Sequence, residues 1–177
     1  IYMFGHLKKF KHKQIAINLD PLFIHNSLDI DASFHPDFLE DYPDAEEEHP
    51  SNMPAPKGLE LQTNIFFDAD HGHDKKTRRS ITGIIIAVGR TPVEWISKRQ
   101  GCIATSTYTA EFVAMRQATE HAIALRYVMR CLGIPVTRPT TLFGDNLGVI
   151  QNATIPDSDL KKKHVAISYH YVREAIA

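Results

Sequence analysis

The chain has 177 residues, 43% hydrophobic and 23% charged, enough for one core-bearing domain with an appendage. No apolar run is long enough to span a membrane, no stretch reads as a signal peptide, and the two cysteines form no CxxC pair or disulfide framework. Cys102 and Cys131 are therefore read as buried thiols in a reducing compartment. The net charge of −1 conceals a split: residues 1–60 carry 5 Lys/Arg against 11 Asp/Glu, and residues 61–177 carry 15 against 10. The second part is mildly basic, which is compatible with a polyanionic ligand, although solvated Lys and Arg are the default on any surface. A first residue of Ile1 reads as a piece of a longer polypeptide.

In chain order, residues 1–13 have the pattern of a short basic helix with Leu7 and Phe10 as its apolar contacts, and residues 15–19 that of a strand. Residues 26–60 follow as a linker. Nine acidic residues lie between Asp29 and Glu48, interrupted by Pro36 and Pro43 and followed by Pro50, Pro54 and Pro56, which predicts a solvated tether. An acidic segment folded back on the basic domain is the alternative.

An α/β pattern begins near Leu61. Residues 64–70 read as a strand, 74–80 as a polar basic loop, 81–88 as a second strand, and 93–97 as a third with period-two alternation. The short turns between them predict an antiparallel meander. A long helix comes next, with Ser106 or Thr107 as N-cap and no Gly or Pro until Gly133. Its apolar stripe runs through Tyr108, Phe112, Met115, Ala118, Ala122, Leu125, Met129 and Leu132. Residues 140–146 form a strand ending in turn residues, 147–153 a short helix, 155–164 a polar loop, and 165–177 a last helix with Val165, Tyr169, Val172 and Ile176 on one face. The order implies a mixed sheet. A right-handed crossover should set the Leu142 strand parallel to the Ile65 strand.

Three acids fall where chemistry gathers in such a sheet. Asp68 and Asp145 lie at strand ends, and Glu111 sits inside the apolar stripe of the long helix. A carboxylate aimed at a core needs a partner, because burying a bare charge is costly. Three converging carboxylates repel one another unless cations lie between them, and hard oxygen ligands select Mg²⁺ or Mn²⁺. Two such ions can clamp a phosphodiester. A Glu on the stripe's shoulder reaching solvent is the bland alternative.

Six motifs occur in one order: Phe67-Asp68-Ala69-Asp70, Thr82-Gly83, Trp95 to Gln100, Ser106 to Phe112, Gly144-Asp145-Asn146, and Lys163 to Glu174. Together they resemble the ribonuclease H domain of copia-type retrotransposon polyproteins over residues 61–177. The resemblance implies a ribonuclease H-like mixed sheet, an antiparallel meander plus a parallel strand, flanked by helices. It also implies metal-dependent hydrolysis of the RNA strand of an RNA–DNA hybrid. Residues 1–25 then look like the tail of a preceding reverse transcriptase, a partner in cis, and family members continue past the position of Ala177. An intracellular location follows, in the cytoplasm or in virus-like particles, with no membrane partner.

By the same resemblance Asp68, Glu111 and Asp145 match three of the family's four metal-binding acids, and Asp70 matches an auxiliary one. The fourth acid normally stands two residues after the His of the last motif, where this chain has Ala166. That departure sets up the alternative: an inactive hybrid-binding or structural module that keeps the fold. Glu174 is eight residues further along the helix, about 12 Å, and so too far to substitute. Asp157 and Asp159 lie in the preceding loop and are nearer candidates. His164 can orient water or a departing product, or merely begin the helix.

Lys75, Lys76, Arg78, Arg79, Lys161, Lys162 and Lys163 are candidate phosphate contacts, with solvated loops as the equal alternative. His71, His73 and Asp74 are a weaker transition-metal candidate, since no second cluster has zinc spacing. Trp95 belongs to the core or to a sheet face. Ser106 and Thr107 have no His and Asp placed to form a triad.

Overall fold

The computed structural model describes residues 17–22, 37–158 and 165–177. Its elements in chain order are α1 (Asp37–Asp41), β1 (Thr63–Asp70), β2 (Ile81–Val88), β3 (Thr91–Arg99), α2 (Thr107–Cys131), β4 (Thr141–Phe143), α3 (Leu147–Thr154) and α4 (Ala166–Ile176). The strands form one sheet in the order β3-β2-β1-β4. The first three are an antiparallel meander, and β4 pairs parallel to β1 through Asn64–Thr141, Ile65–Leu142 and Phe66–Phe143. This is the mixed α/β sheet expected, and it is consistent with a ribonuclease H-like arrangement.

The strand alternation decides the layers. Ile65, Phe67 and Ala69 of β1 and Ile84 and Ile86 of β2 are buried against Phe112, Met115, Ala118 and Ala122 of α2. Each large apolar side chain buried here contributes about 1.5–3 kcal/mol. Tyr169 and Val172 of α4 join the same core. Ser106 is the N-cap of α2, accepting from the Thr109 N–H at 3.2 Å, and Gly133 follows its end at φ +71°. The apolar stripe holds through Met129 and fails at Leu132, which is 70% exposed.

The other face of the sheet carries no helix among the described residues. Across it, Phe143, Phe66, Ile85 and Trp95 are successive cross-strand partners and form one apolar row. Phe66 and Phe143 stack with centroids 4.8 Å apart, whereas Trp95 is 60% exposed. Trp95 is thus a sheet-face residue and not core.

Several expected boundaries shift. β3 extends to Thr91 and Arg99, and β4 is three residues long rather than seven. Both cysteines are exposed, not buried. The basic helix over 1–13 lies outside the described residues, as do residues 15 and 16 of the expected N-terminal strand. Residues 17–19 adopt no strand but cross the β2–β3 turn. There Arg90 N–H donates to Asn18 O at 2.9 Å and the Thr91 hydroxyl bonds both the N–H and the C=O of Asn18. Gly89, at φ +57°, permits the crossing, because a Cβ on it would lie 2.6 Å from the Leu19 backbone.

Residues 37–60, the described part of the expected tether, are mostly exposed but touch the rest of the chain at a few places. Phe38 is 1% exposed, and the Arg173 guanidinium lies over its ring at 4.8 Å. Glu47 bridges two arginines of α2, accepting from Arg126 Nη2 at 2.9 Å and Arg130 Nη2 at 2.6 Å. Lys57 N–H donates to Gly133 O, and Glu60 accepts from Thr137 N–H, Thr137 Oγ1 and Arg138 N–H. The physical reason is charge: the acids of this segment find the arginines that make the rest of the chain basic. Part of the basic surplus is therefore spent internally.

Burial alone would raise the Glu47 carboxyl, but the hydrogen bonds and charges of Arg126 and Arg130 outweigh it and lower it from 4.5 to about 2. A carboxyl depressed on folding stabilises the fold above its unfolded pKa and loses that contribution as the pH falls through its folded one. With the Glu47 side chain 34% exposed, the contribution after solvent screening is about 1–2 kcal/mol. Glu47→Gln should lower stability at pH 7 by that amount, and the gap to the parent chain should close between pH 4.5 and 2. Urea unfolding of both chains across this range measures it; a gap independent of pH would show that the bridge carries no net charge energy.

Candidate metal centre

The parallel pairing of β1 with β4 stops at Phe66, four residues before β1 ends. Beyond that point no strand among the described residues pairs with the β1 edge facing β4, and the Ala69 N–H donates to carboxylates instead of a strand. Its acceptors are Asp68 Oδ1 at 2.8 Å and Glu111 Oε1 at 3.3 Å. Asp68 comes from the exposed side of the strand and Glu111 from the helix layer. Asp145 comes from the short gap between β4 and α3, beside Asn146, whose Oδ1 caps α3 by accepting from the Val149 N–H at 3.2 Å.

The three acids converge. One oxygen from each of Asp68, Glu111 and Asp145 lies within 4.8 Å of the others. Glu111 is 4% exposed, and its Oε2 is buried with no hydrogen-bond partner. Burial first, then the charge of Asp68, and to a lesser degree that of Asp145, push its carboxyl up to about 7, against the opposing Ala69 hydrogen bond. An orphaned buried carboxylate oxygen beside two further acids is a donor set suited to a hard divalent cation. These residues fit such an ion.

Gly144 brings Asp145 in. A Cβ on Gly144 would collide with the ring of Phe67, so only glycine lets the end of β4 press against that buried side chain. In the sequence Gly144 reads only as part of a motif; the signal for this contact is a glycine wedged between a strand and an acid.

The other candidates are dispersed. Asp70 turns to His73, the two side chains in direct contact and both exposed. His71 Nε2 lies 3.1 Å from Ala104 O. Asp74 binds Thr77 Oγ1 and Arg99 Nη1, which hold its carboxyl well below the usual carboxylate range. Among the described residues His71, His73 and Asp74 form no group that could share an ion, and each side chain has another partner. Asp157 is exposed in the turn after α3 and is no member of the cluster. Lys75, Lys76 and Arg78 are exposed and Arg79 half-buried on the loop after β1. Asp159, Lys161, Lys162, Lys163 and His164 lie outside the described residues. Ala166 opens α4 with no side-chain cap at that helix start. Tyr169, one turn later, packs against Phe112, the neighbour of Glu111, at a ring separation of 6.2 Å.

Comparison with known proteins adds context to this geometry. The chain is 31% identical over 120 residues to the retrovirus-related Pol polyprotein from transposon RE1 of Arabidopsis thaliana, and 28% identical over 120 residues to that from transposon RE2 of the same plant. It is 28% identical over 111 residues to the retrovirus-related Pol polyprotein from transposon TNT 1-94 of Nicotiana tabacum. These alignments cover 63–68% of this chain, which spans about 8% of the length of each of these curated relatives. No family model matches the chain. The similarity is to a stretch of retrotransposon polyprotein. No helix among the described residues is long and apolar enough to cross a membrane.

The cluster stores like-charge repulsion when no cation is bound. Replacing one acid by its amide relieves it. At pH 8 without divalent ions, Asp68→Asn should melt about 2–5 °C above the parent chain. In millimolar Mn²⁺ the order should reverse, because the parent gains a ligand-binding term that the variant lacks. Melting curves in chelator and in Mn²⁺ decide this; equal shifts for both chains would mean that these acids hold no ion.

Proposed function

We propose that the chain is a metal-dependent nuclease module of a Pol-type polyprotein, cutting the RNA strand of an RNA–DNA hybrid with a reverse transcriptase domain in cis. The observation that carries this is the convergence of Asp68, Glu111 and Asp145 around a buried carboxylate oxygen without a partner. The mixed sheet and the similarity to retrovirus-related Pol polyproteins support it.

In this reading Asp68 and Asp145 hold Mg²⁺ or Mn²⁺ from the open side of the sheet and Glu111 from the buried side. Bound there, such a cation supplies the positive charge that activates water and stabilises the leaving oxygen of a phosphodiester. The protein's part is positional. The Ala69 N–H fixes Asp68 and Glu111 relative to each other, and the core stripe of α2 keeps Glu111 from reaching bulk water. Contacts to 2′-hydroxyls in the minor groove would distinguish RNA from DNA, with Lys75, Lys76, Arg78, Arg79 and Lys161 to Lys163 on phosphates.

One observation favours a second reading, a hybrid-binding module that does not cut. Ala166 stands where the copia-type pattern has its fourth acid, and the cluster contains three acids. Losing one carboxylate weakens a second cation most, and Mn²⁺ tolerates the loss better than Mg²⁺. The deciding measurement is the initial rate of cleavage of a labelled hybrid against metal concentration. The nuclease reading expects cleavage that Asp68→Asn abolishes, faster in Mn²⁺ than in Mg²⁺. Ala166→Asp should raise the Mg²⁺ rate at least tenfold. Hybrid binding without cleavage in either metal would establish the second reading.

Hybrid affinity should fall with salt as bound Lys and Arg release counterions. Replacing Lys75 and Lys76 together by Ala should reduce the slope of log affinity against log salt by about 1–2. An unchanged slope, measured by fluorescence anisotropy, would leave these lysines as solvated loop residues.

A further inference from the structure

Gln100 directly follows β3 and is 1% exposed. Its Nε2 donates to Ala110 O at 2.9 Å and to Thr82 Oγ1 at 3.0 Å, and its backbone N–H donates to Ser80 O at 2.8 Å. Its Oε1 is buried with no partner. Rotating the amide by half a turn would not repair this, since it would set Oε1 against the Ala110 carbonyl. A buried acceptor left unpaired costs stability, and that cost offsets part of what the two bonds from Nε2 contribute. Stability of the fold is therefore only part of the account of why a glutamine stands here.

Its two acceptors point to another role. Ala110 immediately precedes Glu111 in the first turns of α2. Thr82 is the cross-strand partner of Ala69, whose N–H holds Glu111 and Asp68. One amide group thus ties the residue before Glu111 to the strand residue opposite the amide on which Glu111 rests. The spacing between α2 and the β1–β2 pair at this point is the spacing that brings the Glu111 carboxylate to Asp68.

We infer that Gln100 is a positioning residue for Glu111, clamping the start of α2 to β2 so that the buried carboxylate stays within reach of a cation shared with Asp68 and Asp145. It touches neither the cation nor the substrate. The role rests on the reading of the three acids as metal ligands, and its test separates the two.

The test measures Mn²⁺ binding to the full chain by electron paramagnetic resonance of the free ion, and separately the Mn²⁺ dependence of hybrid cleavage. Gln100→Leu should melt within a few degrees of the parent chain, yet weaken Mn²⁺ binding about five- to tenfold. The metal concentration for half-maximal cleavage should shift equally, with the rate at saturating metal kept within about twofold. Gln100→Glu, which cannot donate to the Ala110 carbonyl when ionised, should bind Mn²⁺ more weakly than Gln100→Leu. If Gln100→Leu does not fold, Thr82→Val removes one acceptor at nearly constant volume and should shift Mn²⁺ binding in the same direction. Unchanged Mn²⁺ affinity in folded Gln100→Leu or Thr82→Val overturns the inference. A parent chain that binds Mn²⁺ through these acids but cuts no hybrid would overturn the nuclease reading and leave the clamp measurable. A parent chain that binds no Mn²⁺ overturns both.

Discussion

A three-residue parallel pairing governs this molecule. β4 accompanies β1 only as far as Phe66, and the strand then runs on with an open edge. A longer β4 would have covered that edge and used the Ala69 amide in a ladder bond. Because it stops, the amide faces carboxylates, and acids from a strand, a helix and a strand-end loop reach one notch in the sheet. The acids have no such meeting point in the interior of a fully paired sheet. Two glycine-level details make the arrangement possible: the bare Cα of Gly144 against Phe67, and the absence of any glycine in α2 that would loosen Glu111.

A second set of contacts, remote from the notch, ties the chain's acidic part to its basic part. Arg173 is 2% exposed and gathers Asn152 O, Ile155 O, Pro156 O, Ser158 Oγ and Asp41 Oδ2 around its guanidinium, between the rings of Phe38 and Tyr169. Its Nε is left without a partner. Such a group specifies an arrangement more than it stabilises one, because so much hydration is given up to bury it. It joins α1, the turn after α3, and α4. With the Glu47 bridge at the far end of α2, it anchors residues 37–60 at separate points along an otherwise exposed path.

The layers and the acids were legible in the sequence because they rest on local rules. Period-two alternation gave the meander, a 3.6-residue stripe gave α2, and an acid inside that stripe singled out Glu111. Strand ends singled out Asp68 and Asp145. What escaped detection depends on partners far along the chain. Glu47 meets Arg126 and Arg130 across 79 and 83 residues, and Asp41 meets Arg173 across 132. Nothing in a Pro-broken acidic run announces such partners, and composition alone argues for solvent. Asp70 shows the opposite case: its partner, His73, is only three residues away, and a loop conformation brings the two together. The cysteines were misjudged from the average behaviour of thiols, which says nothing about which face of a given turn or helix end they occupy.

Trp95 is the chain's single tryptophan and lies on the face of the sheet that carries no helix among the described residues, at one end of the Phe143–Phe66–Ile85 row. Its indole therefore emits from a largely aqueous setting even in the native state. Intrinsic fluorescence is a dull gauge of melting for this protein, since unfolding changes the indole's surroundings little. The same exposure makes it a sensitive optical label for anything that comes to rest on that face, with a blue shift and reduced quenching by iodide as the signature of cover.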